Sequence, residues 1–177
     1  GSRLAAVGKD ALGANTTGQR SSALGWGALK ANTTGNYNTA VGDIALYANT
    51  TGSNNTGIGM GALEANTTGS PHVAVGYEAL RSNTIGQFNN ALGYRALYAS
   101  TTANYNSSIG FETLFSNTTG NNNTSAGNYS LKSNTTGNNN VGVGYQAIYK
   151  NTTGYSNIAM GVQALYNNRT QGNLVAI

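Results

Sequence analysis

Few side chains in this sequence are of the kinds that carry out acid–base or nucleophilic chemistry. His72 is the only histidine, cysteine is absent, and five carboxylates are spread over 177 residues. Catalysis requires such groups to lie together with shifted pKa values, and no serine has a histidine and an aspartate placed to activate it. We predict that the chain is not an enzyme and has no catalytic, cofactor-binding or metal-binding residues.

The isolated titratable residues have structural interpretations. His72 stands where other copies of a repeat have Asn or Ser, and we interpret it as a tolerated surface substitution rather than a metal ligand or a proton-transfer group. Glu78, Arg95 and Glu112 recur at intervals of 17 residues, which predicts a Glu–Arg–Glu ladder on the surface. Neither feature indicates a reaction.

Aromatic residues recur at the same interval and offer the best candidate for a ligand-binding site. Tyr77, Tyr94 and Phe111 each follow a glycine of the repeat. Two interpretations are open: the rings cover corners of the structure or pack between chains, or an exposed ladder of rings stacks on the sugars of a glycan. Further members of this column and of a second one are Trp26, Tyr145, Tyr47, Tyr98, Phe115, Tyr149 and Tyr166.

The recurring Asn-Thr-Thr segment has two further interpretations. It is an acceptor sequence for N-glycosylation, although an inward ladder of these asparagines would exclude glycans. Its paired threonines, such as Thr50 and Thr51, would bind ice if they formed a flat array, but adjacent strand residues face opposite ways and these lie beside a turn glycine. The acceptor asparagines are Asn15, Asn32, Asn49, Asn66, Asn117, Asn134 and Asn151.

Composition argues against several classes of partner. Nine Lys and Arg against five Asp and Glu give a net charge of +4, but the basic residues are dispersed, whereas a nucleic-acid backbone requires a basic cluster. No apolar run approaches the roughly 20 residues of a membrane-spanning helix. We predict no nucleic-acid binding and no membrane insertion by this segment.

A 17-residue period organises the chain. Glycine recurs at this interval from Gly8 to Gly161, with an apolar residue before each glycine and Leu or Ile four residues after it. No insertion or deletion interrupts residues 4–173, which predicts ten copies stacked in register. We assign residues 1–3 to a cloning remnant and lead-in, residues 4–173 to ten repeats, and residues 174–177 to the start of a further repeat in a longer protein.

Seventeen residues fit one coil of an all-β parallel β-solenoid, or β-roll. Two-helix repeats are longer, and Gly with Asn-Thr-Thr-Gly would interrupt a helix in every copy. We expect a strand at 38–41, a glycine turn, a second strand at 45–47 and a turn at 49–52, with positive φ at the glycine corners. Like residues then stack ~4.8 Å apart, so that Asn columns pass hydrogen bonds between coils and Val and Leu columns form the core.

The small core predicts self-association. Two large apolar residues per coil bury little surface for a lone chain. Alanine columns adjoin the large apolar columns, and because neighbouring strand residues face opposite ways, we expect apolar surface on both faces, with small residues on the outer one. Small residues permit close approach of chains, which predicts a parallel homotrimer around a common axis.

The repeat also resembles known fibres. Asn38-Thr39-Ala40-Val41-Gly42-Asp43-Ile44-Ala45 resembles the head repeats of YadA-like trimeric autotransporter adhesins, and NTAVGDIALYANTTGSN resembles repeats of bacterial and phage tail-fibre-like proteins that carry a C-terminal intramolecular chaperone. The resemblance covers residues 4–177, although the adhesin repeat is shorter. It implies three β-rolls side by side in an extracellular, cell-surface or virion fibre, and it assigns no binding residue.

Two functions are compatible with this resemblance. One is a shaft that extends or presents a surface-binding tip, and the other is an adhesin head that binds a cell-surface glycan or other receptor through Tyr77, Tyr94 and Phe111. The largest breaks in the repeat are substitutions without inserted loops, whereas a receptor site usually needs an irregular patch. We favour the shaft and expect further copies of the chain as its partners. The breaks are at 100–103, Thr113, Ala126 and Ser130.

Overall fold

The computed structural model describes residues 3–177 and shows a β-solenoid of about ten turns. Each coil contributes one short strand to a single parallel sheet, in which the strands follow one another in chain order. No helix occurs in residues 3–177, so the predicted fold class is confirmed. The strands are β1 (Ala5–Val7), β2 (Ser22–Leu24), β3 (Thr39–Val41), β4 (Asn55–Ile58), β5 (His72–Val75), β6 (Asn90–Leu92), β7 (Ser107–Ile109), β8 (Thr124–Ala126), β9 (Val141–Val143), β10 (Ile158–Met160) and β11 (Val175–Ala176).

The second predicted strand, at residues 45–47, is wrong. Residues 43–48 form consecutive turns, which we call the turn segment of the coil together with its equivalents. Its backbone N–H groups alternate between local and inter-coil acceptors: Ala45 N donates to Gly42 O at 3.3 Å, and Leu46 N donates to Ala62 O at 2.9 Å. Half of the hydrogen bonds that a strand would make with its neighbour are therefore made within the coil.

Left-handed backbone conformations produce these turns. Leu46 has φ 53° and Ile44 has φ 52°, in a region that costs a residue with a bulky side chain about 1–2 kcal/mol. Leu46 is fully buried, and burying a leucine side chain contributes about 1.5–3 kcal/mol, which offsets the backbone cost. The same conformation recurs at Leu12, Leu29, Leu63, Leu80, Leu97, Leu114, Leu131, Ile148 and Leu165.

The strands place their small residues inside and their large residues outside. Ala40 is fully buried, whereas Leu24, in the same strand row as Val41, is half exposed. The interior between strand and turn segment is narrow: a Cβ added to Gly57 would lie 3.4 Å from Leu46 Cγ. The expectation that the column before the glycine joins the core, with alanines facing outward, is therefore wrong. Buried alanines of the strands are Ala23, Ala40, Ala74, Ala91 and Ala159.

A ladder of asparagine side chains fills one side of the interior, and we call it the turn ladder. Asn49 Nδ2 donates to Asn32 Oδ1 at 2.8 Å and to Gly52 O at 3.0 Å, so each amide links two coils and closes its own turn. This confirms the predicted passage of amide hydrogen bonds from coil to coil. The ladder consists of Asn15, Asn32, Asn49, Asn66 and Asn83, then Ser100, then Asn117, Asn134, Asn151 and Asn168.

A second buried ladder, which we call the strand ladder, lies just before the strands. Asn38 Nδ2 donates to Gly52 O at 2.8 Å, and Asn38 Oδ1 accepts a hydrogen bond from the backbone N of Asn55 at 3.0 Å. This ladder was not predicted, although Asn is also the commonest residue of its column. Its members are Ser21, Asn38, Asn55, His72, Asn89, Asn106, Asn123, Asn140 and Asn157.

The two glycine columns are required for different reasons. Gly76, in the column after the strands, has φ +136°, as predicted for a corner. Gly52, in the Asn-Thr-Thr-Gly column, is not in the positive-φ region, which corrects the expectation for that column. A Cβ there would collide with Asn49 Oδ1 and lie 2.7 Å from Gly69 O. Glycine at this position therefore permits close stacking of coils.

We predict that Gly76→Ala destabilises the fold more than Gly161→Ala does. Both glycines have positive φ, +136° and +130°, so both substitutions introduce backbone strain of about 1–3 kcal/mol. A Cβ at 76 would also collide with the Gly93 carbonyl, whereas a Cβ at 161 meets no atom within 4 Å. Denaturant unfolding of both variants measures the difference, and equal losses would contradict the stacking explanation.

We predict that Asn49→Ala is strongly destabilising and that Thr51→Ala is nearly neutral. Asn49→Ala removes the hydrogen bonds from Asn49 Nδ2 to Asn32 Oδ1 and Gly52 O, and it removes the acceptor of Asn66 Nδ2. Each buried polar group left unpaired lowers the free energy of unfolding by about 1–3 kcal/mol. Thr51 is in the same turn but exposed. Thermal unfolding of the two variants tests this, and similar melting temperatures would show that the ladder contributes little.

Candidate functional site

The outward side of the sheet is an uncharged surface that runs along the solenoid. Leu92 is 48 % exposed and Ile109 is 54 % exposed. We call this surface the sheet face and define it by the two outward rows of the strands. One row runs Ala5, Ser22, Thr39, Thr56, Val73, Asn90, Ser107, Thr124, Val141, Ile158, Val175, and the other runs Val7, Leu24, Val41, Ile58, Val75, Leu92, Ile109, Ala126, Val143, Met160.

A shallow groove of about 340 Å³ lies in the middle of the sheet face, across β5, β6 and β7. None of its lining residues is titratable, so it has no group for acid–base chemistry and can offer only apolar contact and a few hydroxyl or amide groups. The lining residues are Val73, Asn90, Ala91, Leu92, Ser107, Ser108 and Ile109.

Aromatic stacks occur two residues beyond each end of these strands. Tyr77, Tyr94 and Phe111 form a stack after the strands, with ring centroids 5.2 and 4.9 Å apart and planes within 9° of parallel. Phe88 and Tyr105 stack before the strands, with centroids 5.0 Å apart. The predicted ladder at 77, 94 and 111 is therefore present and partly exposed.

The geometry of this stack limits how it can meet a sugar. Parallel rings one coil apart turn their faces towards each other, so the faces between Tyr77, Tyr94 and Phe111 are covered. Phe111 meets Tyr129 edge to face, with centroids 5.2 Å apart. Apart from the outer face of Tyr77, the stack therefore presents ring edges to solvent, whereas stacking on a sugar requires an open ring face.

The second aromatic column is less exposed than the first. Tyr98 stacks on Phe115 and Tyr149 stacks on Tyr166, each pair with centroids 5.1 Å apart. All four side chains are half-buried on the turn segments, where they cover the backbone turns. This packing agrees with the interpretation that these rings cover corners of the coil.

A network of four charged residues lies beside the first aromatic stack. Glu78 Oε2 is 2.7 Å from Arg95 Nε, and its Oε1 is 2.6 Å from Arg81 Nη1, which confirms the predicted Glu78–Arg95 rung. The hydrogen bond to Glu78 raises the pKa of Arg95 above its usual value. Glu78 is only 4 % exposed, however, so the carboxylate is buried rather than on the surface. Arg81 also pairs with Glu64 at 2.7 Å.

The third member of the predicted ladder has a different partner. Glu112 pairs with Lys132 at 2.8 Å, and Arg95 pairs with Glu78 instead. Arg95 also lies over Tyr94, with the guanidinium carbon 5.2 Å from the ring centroid. Each of these carboxylates is engaged by a cation, so the network stabilises the turn segments and leaves no carboxylate arranged for proton transfer.

His72 is buried, and its interpretation as a surface substitution is wrong. It is 1 % exposed and occupies a position of the strand ladder. Nε2 lies 2.8 Å from Gly86 O, and Nδ1 lies 3.2 Å from the backbone N of Asn89. These partners assign the neutral tautomer with the proton on Nε2. The imidazole therefore donates and accepts as an asparagine side chain would.

Glycosylation of the Asn-Thr-Thr sites is incompatible with the turn ladder. Asn32, Asn49, Asn66, Asn117, Asn134 and Asn151 are fully buried. A glycan on any of them would require the coil to open. The first threonine of the segment also links adjacent coils, because Thr50 Oγ1 donates to Thr67 O at 3.1 Å. After the first repeat, only the second threonine of the pair, such as Thr51, is exposed, so the pairs do not form a flat two-row array.

Within residues 3–177, no group of three or more His, Cys, Asp or Glu side chains is placed to hold a metal ion. No helix in this part of the chain has the length and apolarity needed to cross a membrane.

Comparisons with protein-family models, with curated proteins and with solved structures found no match to this chain.

We predict that His72 makes the fold less stable in mild acid. Burial lowers the pKa of His72 below 6.5, so the folded state stays neutral while the unfolded chain binds a proton as the pH falls below about 6.5. Stability is therefore fully present above pH 6.5 and declines as the pH falls towards the folded-state pKa. Protonation of Nδ1 would place a second N–H opposite the backbone N–H of Asn89, from which Nδ1 now accepts a hydrogen bond.

The measurement compares the melting temperatures of the wild type and of His72→Asn at pH 7.5 and pH 5. Asn is the usual residue of the strand ladder, and the two proteins share every carboxylate, so acid effects on Asp and Glu cancel in the comparison. The wild type should lose more stability than the variant. Parallel losses would show that His72 is not the responsible group.

Proposed function

We propose that this chain is a shaft segment of a trimeric extracellular fibre, of the adhesin or tail-fibre kind, which extends or presents a surface-binding tip. The observation that carries the proposal is the unbroken parallel sheet with its uncharged outer face. A surface of this kind along a solenoid favours lateral packing against other chains over recognition of a small ligand.

A solenoid of this kind is lengthened simply by adding coils. One coil adds ~4.8 Å, so ten coils give a rod of roughly 48 Å. Each added coil brings its own leucine, alanines and two ladder residues, which pair with those of the coil before it. A fibre built this way is extended without a new core, and its cross-section stays constant.

Self-association is supported by the sheet face rather than by the alanine columns. The exposed aliphatic row includes Leu24, Ile58, Leu92 and Ile109. In a parallel assembly around an axis along the solenoid, equal rows meet at equal heights, so apolar residues contact apolar residues. The buried network around Glu78 lies on the turn segments and does not enter such an interface.

The alternative is a glycan-binding head that uses Tyr77, Tyr94 and Phe111. Their exposure of 37–38 % favours contact with a partner. Their parallel stacking favours the shaft, because a sugar would meet ring edges. A shaft should bind no glycan, whereas a head should lose its binding in the double variant Tyr77→Ala/Tyr94→Ala.

Light scattering tests the oligomeric state. We expect the wild type to have about three times the chain mass of 18.1 kDa. Leu92→Asp should dissociate the trimer, because it places a charge on the sheet face. Thr102→Asp, at an exposed position in the turn at 100–103 of the same repeat, is the matched control and should leave the mass unchanged.

Three results would contradict the proposal. A folded wild-type monomer would show that the chain is not a trimer. Equal masses of the two aspartate variants would show that the sheet face is not the interface. Specific binding on a glycan array that is lost in Tyr77→Ala/Tyr94→Ala, with the mass unchanged, would replace the shaft by a head domain.

A further inference from the structure

The turn ladder is interrupted at one rung. Asn83 Nδ2 donates to Asn66 Oδ1 at 2.8 Å on one side, and Asn134 Nδ2 donates to Asn117 Oδ1 at 2.8 Å on the other. Between these intact parts stands Ser100, whose side chain is too short to continue the ladder. The interruption therefore lies in the interior of the solenoid and not at one of its ends.

Two polar atoms at this rung have no hydrogen-bond partner within the described chain. They are Asn83 Oδ1 and Ser100 Oγ, and both residues are fully buried. At every intact rung an Oδ1 accepts a hydrogen bond from the Nδ2 of the following coil, as Asn49 Oδ1 does from Asn66 at 2.8 Å. A buried polar atom without a partner is destabilising, which favours any small polar molecule that can reach both atoms.

The neighbouring strand ladder shows that the defect is local. Asn89 Nδ2 donates to Ala103 O at 2.7 Å, and the backbone N of Asn106 donates to Asn89 Oδ1 at 3.0 Å, in the same pair of coils. The coils therefore keep their register past Ser100. Two side chains change in this turn: Ser100 has two heavy atoms fewer than the Asn of the other turns, and Ala103 has a Cβ where they have Gly. A Cβ at the equivalent Gly52 would collide with Asn49 Oδ1, so Ser100 and Ala103 fit together where Asn and Ala would not.

We infer that one internal water molecule completes this rung of the turn ladder. The water donates to Asn83 Oδ1 and accepts from the Ser100 hydroxyl, so that both atoms gain a partner. A water molecule needs at least two polar partners, and Asn83 Oδ1 and Ser100 Oγ are two unpartnered oxygens at this rung.

The donor set favours water over a cation. One amide oxygen and one hydroxyl oxygen are available, and neither carries a charge. Hard cations such as Ca²⁺ bind six to eight oxygens, several of them from carboxylates. The site is thus neutral, small and polar, which is the chemistry of an internal water site.

Oxygen-17 magnetic relaxation dispersion, which counts long-lived internal waters, tests the inference. The double variant Ser100→Asn/Ala103→Gly restores the turn of the other repeats, with its amide, and should remove one long-lived water relative to the wild type. Ser21→Asn is the matched control in the strand ladder, because Ser21 Oγ already donates to Gln19 O at 3.3 Å and accepts from Asn38 N at 3.1 Å. This variant should leave the count unchanged.

A high-resolution crystal structure provides the second readout. The wild type should show one ordered water within hydrogen-bond distance of Asn83 Oδ1 and Ser100 Oγ, and Ser100→Asn/Ala103→Gly should show an amide in its place. Equal water counts in the wild type and the double variant, or a wild-type rung without water density, would overturn the proposal. The test does not depend on oligomeric state or on the proposed function.

Discussion

Stacking of coils in a 17-residue register is the constraint on which the rest of this structure depends. The register brings like residues together, so that Asn meets Asn, the Thr50 hydroxyl meets the Thr67 carbonyl, and each strand meets its copy. An insertion of one residue would shift every column by one place and break both ladders at once. The absence of insertions between residues 4 and 173 follows from this coupling.

The narrow interior decides which residues face solvent. The turn segment crosses so close to the strand that only Ala, Gly or Ser fits in the inward row, while the leucine of the turn segment fills the remaining space. The large aliphatic residue of each strand is thereby forced outward. The exposed aliphatic row of the sheet face is thus a consequence of the small coil, and the proposed self-association depends on this row.

Polar substitutions in the interior are accepted where they find partners. Ser108 Oγ lies 2.6 Å from Thr113 Oγ1, Ser125 Oγ donates to Ser130 O at 3.0 Å, and Ser130 Oγ donates to Gly142 O at 2.9 Å. These hydroxyls replace alanines of two inward columns in neighbouring coils. The breaks in the repeat at Thr113 and Ser130 are therefore compensated pairs inside the coil.

The sequence alone determined the period, the parallel solenoid, the turn ladder and the stacked rings at Tyr77, Tyr94 and Phe111, because each of these follows from like residues recurring one coil apart. It did not determine the path of the chain within a coil. Leu46 at positive φ defies residue propensity, and only the packing of that leucine against the opposite strand makes the conformation favourable. The burial of His72 and Glu78 and the outward direction of the aliphatic row depend on that path, so only the tertiary structure decided them.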